Sequence, residues 1–324
     1  MTLLHINRIL IIARHCRTSL LVLSFLLAAS IELAAQPVRS GPLRSLTIVT
    51  EPASTVWIDG VRYGVTDDKG RLAVSSVLPG IRTIRVRANG FAEINKSLPA
   101  ASRGDVVIKL VKTTDEAELA FQSAETQTTI DREKAISEYQ RAIKLRPNFV
   151  DAHIGLARAY SERGEIEKAY KAVQSAKRLR PANAETAVIE ARFLKDSGEE
   201  EKAIAAFKRS ITLGRGFQPE AHTGLGLLYK DRAEAAGGSG DFASETGNYD
   251  EAVKHLAVAA QQLGSAPDAM VVYQILGLIY ERQKKFKEAI ALYETFLRLF
   301  PGTSEAGAVE SFITQIKKQM AEQK

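Results

Sequence analysis

The chain has 324 residues, 45% hydrophobic and 25% charged, a length that suggests about two domains. That balance excludes a disordered chain, a collagen-like repeat and a polytopic membrane protein. There are 44 Lys and Arg against 38 Asp and Glu, a formal charge of +6, with no basic block of the kind that grips nucleic acid. Residues 45–112 carry ten basic and six acidic side chains, whereas residues 113–324 carry 29 and 31, so the excess lies in the first half. Cys16 is the only cysteine, so the rest of the chain forms no disulfide, thiolate metal site or cysteine nucleophile.

The first segment holds Arg8, Arg14 and Arg17, then an uncharged run from Ser19 to Ala29, then the small residues Ala28-Ala29-Ser30 and Ala34-Ala35. A basic stretch, a short apolar core and a small-residue exit make a secretory signal. Residues 1–35 are expected to be a signal peptide cut after Ser30 or Ala35, and residues 36–44 a linker. The alternative is an uncleaved membrane anchor. Cys16 precedes the apolar run, which argues against a lipid-anchored cysteine.

From 45 to 112 the apolar period is two and turn residues recur about every ten positions. Strands are predicted at 45–50, 55–58, 72–77, 82–88 and 105–112, with turns at Asp59-Gly60, Pro79-Gly80 and Asn89-Gly90. Ile84, Val86 and Ala88 alternate with Thr83, Arg85 and Arg87, as on a strand with one dry face. The expected fold is a small antiparallel β-sandwich. The run from Thr50 through Pro52-Ala53-Ser54-Thr55-Val56-Trp57-Ile58-Asp59-Gly60, with Tyr63-Gly64, Leu78-Pro79-Gly80 and Ala88-Asn89-Gly90-Phe91, resembles a PEGA domain. Ser54-Thr55 stands where that family has a Gly-Ala pair. Thr66-Asp67-Asp68-Lys69-Gly70 is similar to the related carboxypeptidase-regulatory modules. The resemblance implies a non-catalytic module of exported or surface proteins. Asp59, Asp67 and Asp68 read as turn residues, with a calcium site as the alternative. Arg82, Arg85 and Arg87 read as a solvated strand face, with an anion-binding stripe as the alternative. Trp57, the only tryptophan, is expected on the outer face, covered by the helical region.

The rest of the chain repeats. Ala135, Ala169 and Ala203 are 34 residues apart, each in a Glu-Lys-Ala phrase, and Asp-Glu-Ala-Val at 250–253 and Lys-Glu-Ala-Ile at 287–290 follow. Four positions after each alanine comes Tyr139, Val173, Phe207, Leu256 or Tyr293. Pro147, Pro181 and Pro301 close three units. This pattern resembles the tetratricopeptide repeat, in five units at 116–149, 150–183, 184–217, 219–266 and 270–303. The resemblance implies helical hairpins stacked into a right-handed superhelix, closed by a capping helix over 304–324. The architecture expected of the whole is therefore multidomain, β followed by all-α. Three departures stand out. Gln122 and Ser123 replace a leucine and a small residue, which predicts a loose or capping first helix. Arg215 replaces a closing proline. An insertion of 14 residues within 230–246 is expected to be a flexible glycine-rich loop with its tip at 235–241.

In this family the leading helices line the concave surface. Carrying its groove positions over gives Ile154, Arg158 and Glu162, then Val188, Arg192, Lys195 and Asp196. The fourth unit gives Thr223, Leu227, Lys230 and Asp231, and the fifth gives Gln274, Leu278, Glu281 and Arg282. Arg158, Arg192, Lys195 and Lys230 either grip an acidic or C-terminal peptide or form a solvated ladder with nearby acids. The chaperone-binding members carry Lys-x-x-x-Asn where this chain has Ile154 and Arg158, so that partner is not expected. His153 and His222 occupy equivalent positions, 69 residues apart, and read as structural. No catalytic, metal or cofactor motif is evident. The expected function is an exported, non-catalytic scaffold of the bacterial periplasm or envelope. Its groove holds a protein or peptide, and its β-sandwich docks to a second envelope component or braces the superhelix. The alternatives are a structural protein touching peptidoglycan or glycan and an accessory subunit of an envelope enzyme.

Overall fold

Seven strands open the described part of the chain: β1 Arg44–Val49, β2 Thr55–Ile58, β3 Val61–Val65, β4 Arg71–Val77, β5 Arg82–Arg87, β6 Ile94–Leu98 and β7 Gly104–Val107. The structure is a computed structural model that describes residues 43–322; the predicted signal and most of the linker lie outside them. One sheet has the order β4-β1-β7 and the other β3-β2-β5-β6. Leu46, Ile48, Val74 and Val77 of the first share one buried cluster with Val56, Ile58, Ile84 and Val86 of the second. The alternation in β5 therefore marks the dry face as expected.

Three strand expectations change. β3 escaped notice because Gly64 interrupts its apolar alternation. β6 did because its centre, Asn95-Lys96-Ser97, is polar. The last strand ends at Val107, and it pairs with β1 in parallel rather than antiparallel, Ile48 opposite Val106. The chain crosses from one sheet to the other after Leu98, and that crossing sets the direction of β7.

Eleven helices follow among the described residues: α1 Glu116–Gln127, α2 Arg132–Leu145, α3 Val150–Glu162, α4 Ile166–Leu179, α5 Ala184–Asp196, α6 Glu200–Leu213, α7 Pro219–Gly238, α8 Phe242–Leu263, α9 Ala269–Arg282, α10 Phe286–Leu299 and α11 Ala306–Glu322. Their starts are written locally. Asp115, Asp131, Asn183 and Asp241 each accept a backbone N–H of the first turn, and Pro219 opens α7, where a missing N–H costs nothing. Ala135, Ala169, Ala203, Ala252 and Ala289 are all fully buried, as are the large residues four positions on. Where Arg215 replaces proline, it and Gly216 both take left-handed backbone angles, and these turn the chain between α6 and α7.

The insertion is not a loop. It lengthens both helices of the fourth hairpin, to 20 residues in α7 and 22 in α8, against 14 in each of α9 and α10. The glycines sit at the end of α7, and Asp241 restarts the helix by accepting the Ser244 N–H at 3.1 Å. Each helix gains about seven residues, so the hairpin projects about 10 Å further than its neighbours.

Two buried clusters fill the helical array. The first runs from Ala120 of α1 to Leu228 of α7, the second from Ala233 of α7 to Ile316 of α11. They part inside the fourth hairpin, where Tyr229 touches both. The helices approach closely there: a Cβ at Gly226 would lie 2.5 Å from Cγ of Leu256.

The described residues fall in one compact unit, and within it the β module contacts the helical array at two places. At α1, the buried Gln122 side chain accepts the Gly90 N–H at 2.9 Å and donates to the Phe91 carbonyl at 2.8 Å. The residue expected to loosen the first helix instead joins it to a β turn. At the other end Val61 of β3 is buried in the second helical cluster. Gly264, with φ of 59°, backs onto the Ser76 carbonyl so closely that a Cβ there would come within 2.8 Å of it. The β module thus straps the first hairpin to the turn between α8 and α9.

Candidate functional site

The leading helices α3, α5, α7 and α9 carry the predicted groove residues. Ile154 and Val188 are buried in the first helical core, which removes them from any contact surface. Arg158 and Arg192, one helical turn further on, do emerge.

The basic residues are all engaged. Arg158 reaches Glu185 of the next leading helix at 3.1 Å, and Arg192 reaches Glu220 at 2.6 Å. Lys195 lies 3.8 Å from Asp196, and Lys230 lies 2.8 Å from Glu234 and 3.7 Å from Asp231. Glu162 is held by Arg132 at 3.1 Å and Arg282 by Glu245 at 2.8 Å. The ladder reading therefore fits the geometry, and a free cationic track does not. Exposed pairs of this kind add little stability, and they leave no surplus charge for an acidic peptide.

Glu185 shows how crowded this floor is. Desolvation raises its pKa, Asp151 and Glu220 raise it further, and Arg158 and Arg85 oppose them. Arg158 is also partly desolvated, yet Glu185, Glu220 and Glu125 hold its pKa up. One strand arginine, Arg85, thus shares an electrostatic neighbourhood with the start of α5.

The remaining positions differ among themselves. The Thr223 hydroxyl donates to the Pro219 carbonyl at 2.9 Å, so it serves its own helix. Glu281 accepts the Tyr293 hydroxyl at 2.6 Å. Burial first, and then that carboxylate, raise the tyrosine pKa. Leu227 is half-buried and Gln274 is exposed. Leu278 is 63% exposed and Val271, one side-chain row away on α9, is 57% exposed.

The β-module alternatives resolve differently. Asp67 accepts the backbone N–H groups of Lys69 and Arg71, and Asp59 accepts from Thr83 and pairs with Arg82 at 3.2 Å, so both are turn and bracing residues. Neither stripe reading holds for Arg87. It is 9% exposed, pairs with Glu93 and with Glu125 of α1, and lies 5.4 Å from the Trp57 ring centre and 4.4 Å from that of Phe121. Arg85 stacks on Trp57 at 4.4 Å. Trp57 is half-buried and is linked to the helical region through Arg87.

The histidines hold the residue pair that sequence reasoning missed. His153 bonds the Pro147 carbonyl at 3.0 Å, a structural role. His222 of α7 and His255 of α8 meet Nδ1 to Nδ1 at 3.0 Å. They are 33 residues apart, but the long hairpin hides that they face one another. Among the described residues no group of three or more His, Cys, Asp or Glu is placed to hold a metal, and no helix is long and apolar enough to cross a membrane.

Residues 131–187 and 271–303 match the tetratricopeptide repeat. Those two stretches carry tetratricopeptide repeats. They are helical protein-interaction scaffolds, and the family is generally non-catalytic. Among solved structures, yeast Tom70 is 18% identical over 64% of this chain and 41% of that chain, with a TM-score of 0.51, a likeness of fold. MamA is 23% identical over 54% of this chain and 92% of that one, with a TM-score of 0.40. No curated protein matches the chain in sequence.

Proposed function

We propose that this chain is an exported, non-catalytic scaffold whose repeats bind a protein segment along α7 and α9, while its β module, PEGA-like in sequence, braces the array and docks to a second envelope component. Export is supported by the three arginines and the uncharged run of the first 35 residues. The binding site moves relative to the sequence expectation. The early leading helices spend their charges on one another, so they offer a satisfied surface. The observation that carries the reading is the uncovered row on α9, Val271, Gln274 and Leu278, on a helix whose other side packs into the second helical core. An apolar row beside polar residues suits an amphipathic peptide more than a purely acidic one.

The test is site-specific crosslinking in the native cell. A photoreactive residue at Gln274 should capture a discrete protein, and Leu278→Asp should abolish that capture while leaving helicity unchanged. Reversing Arg192 to Glu should weaken it by less than threefold. Capture that survives Leu278→Asp but is lost with Arg158→Glu and Arg192→Glu would return the site to the early helices.

A further inference from the structure

Basic and apolar side chains share the end of the β module at which the chain enters it. Arg44, the first residue of β1, is buried, and its guanidinium bonds carbonyls rather than a carboxylate: it donates to the Pro99 carbonyl at 2.5 Å and to the Gly80 carbonyl at 2.9 Å. One arginine thus draws together the start of β1, the turn before β5 and the turn after β6. Two more hold those turns. Arg82 donates to the Pro79 carbonyl at 2.6 Å, and Arg103 to the carbonyls of Ala100 and Ser102 at 3.0 and 2.8 Å. Burial first, then Arg103 and Arg82, lower the Arg44 pKa, and Asp59, which pairs with Arg82, opposes them. Three arginines against Asp59 leave this end positive.

The large apolar side chains beside these arginines are uncovered. Ile81, next to Gly80, is 73% exposed, and Leu43, next to Arg44, is 52% exposed. The Arg44–Gly80 bond ties their neighbours together, so both lie at the same end. An isoleucine at a turn tip with fixed cations around it suits a lipid surface: the side chain enters the acyl boundary, and the arginines meet anionic headgroups. The chain leads there too. Thirteen residues, 30–42, separate Leu43 from the uncharged run that ends at Ala29, and Arg39 lies among them. They reach at most about 45 Å, so this end stays within that distance of the run whenever the run lies in a membrane.

We propose that the entry end of the β module seats on an anionic lipid surface through Ile81 and Leu43, with Arg82 and Arg103 against the headgroups and Arg44 adding its charge from beneath. This names the envelope component that the β module meets, and to that extent it rests on the export reading.

The test uses residues 36–324, which keep every described residue and lack the apolar run, floated with vesicles of phosphatidylglycerol or of phosphatidylcholine. The chain should float with the first and not the second, and should come off as salt rises to about 0.5 M. Ile81→Asp and Arg103→Glu, both at exposed positions, should each weaken partitioning about tenfold or more. Lys69→Glu makes the same change in net charge at the opposite end of the module, where the Gly70 carbonyl accepts the Thr50 N–H just past β1, and should leave partitioning within about twofold. With Cys16 outside this chain, a polarity-sensitive dye at Ile81→Cys should shift to shorter wavelength on phosphatidylglycerol vesicles, and one at Lys69→Cys should not. Equal loss with Lys69→Glu, no loss with Ile81→Asp, or binding to cell-wall sacculi without binding to vesicles overturns the proposal. Capture at Gln274 and cell fractionation read the repeats and export, whereas vesicle binding reads this surface alone, so the two failures are told apart.

Discussion

Replacing Ala169 by aspartate is expected to unfold the first helical core while leaving the second folded. Ala169 has no exposed surface and sits where α4 meets its partner helix inside the first buried cluster. An ionised carboxylate at that fully buried position is stripped of water, which costs several kcal/mol, about half or more of a typical domain's stability. In a stacked array each hairpin leans on its neighbours, so the damage spreads through the cluster. It should stop at the fourth hairpin, because the second cluster starts there. The signature is a two-step thermal melt by circular dichroism, with the helicity of α8 to α11 surviving to higher temperature. Ala169→Ser, of similar size, should lower the melting temperature only slightly. A single unshifted melt for the aspartate variant would show that the repeat register is misplaced.

The second large effect is expected from Arg87→Ala, which should release the β module from α1. The buried guanidinium pairs with Glu93 and Glu125 and bridges the rings of Trp57 and Phe121. Losing the guanidinium costs about 1–3 kcal/mol, because its hydrogen bonds and stacking go while both carboxylates keep access to water. Lysine should rescue little, because the flat guanidinium does the stacking. Trp57 is the only tryptophan, so its emission should move to longer wavelength as water reaches the ring. Gln122→Ala should act in the same direction at about 1–3 kcal/mol, because the Gly90 N–H and the Phe91 carbonyl lose their partner. If Trp57 emission stays put in both variants, the strap does not run through α1.

The comparison of sequence with structure turns on which signals were periodic. Five alanines and five large residues kept one phase through the array, and each is buried where the phase put it. The β5 alternation told its dry face for the same reason. Signals that depend on context misled. Glycines at 237, 238 and 240 suggested a loop, yet two of them end a helix, and local helix formers on both sides carry the chain through. Gln122 breaks the repeat pattern because its amide serves a β turn 32 residues earlier, which no helical pattern reveals. Ile154 and Val188 were carried over by family position alone, and close packing put them inside. The His222–His255 contact was hidden because an insertion lies between them and shifts the count by which facing residues are found. The pairs of Lys195 and Lys230 with acids of their own helices were legible as local spacing, whereas those of Arg158 and Arg192 reach the next leading helix and leave no local mark.

The lengthened hairpin has a consequence for how such arrays vary. Because about seven residues were added to each helix, and a heptad brings a helix back to within about 20° of its starting orientation, the sides that α7 and α8 offer their neighbours are nearly unrotated. The units on either side therefore keep their stacking direction, while Tyr249 and Glu245 of the lengthened part reach Arg282 of the next leading helix. Matched cuts of seven residues from 231–237 and 243–249 would restore an ordinary hairpin. A cut from one side alone would strand half a spiral without a mate, so growth and loss at this spot are confined to balanced steps.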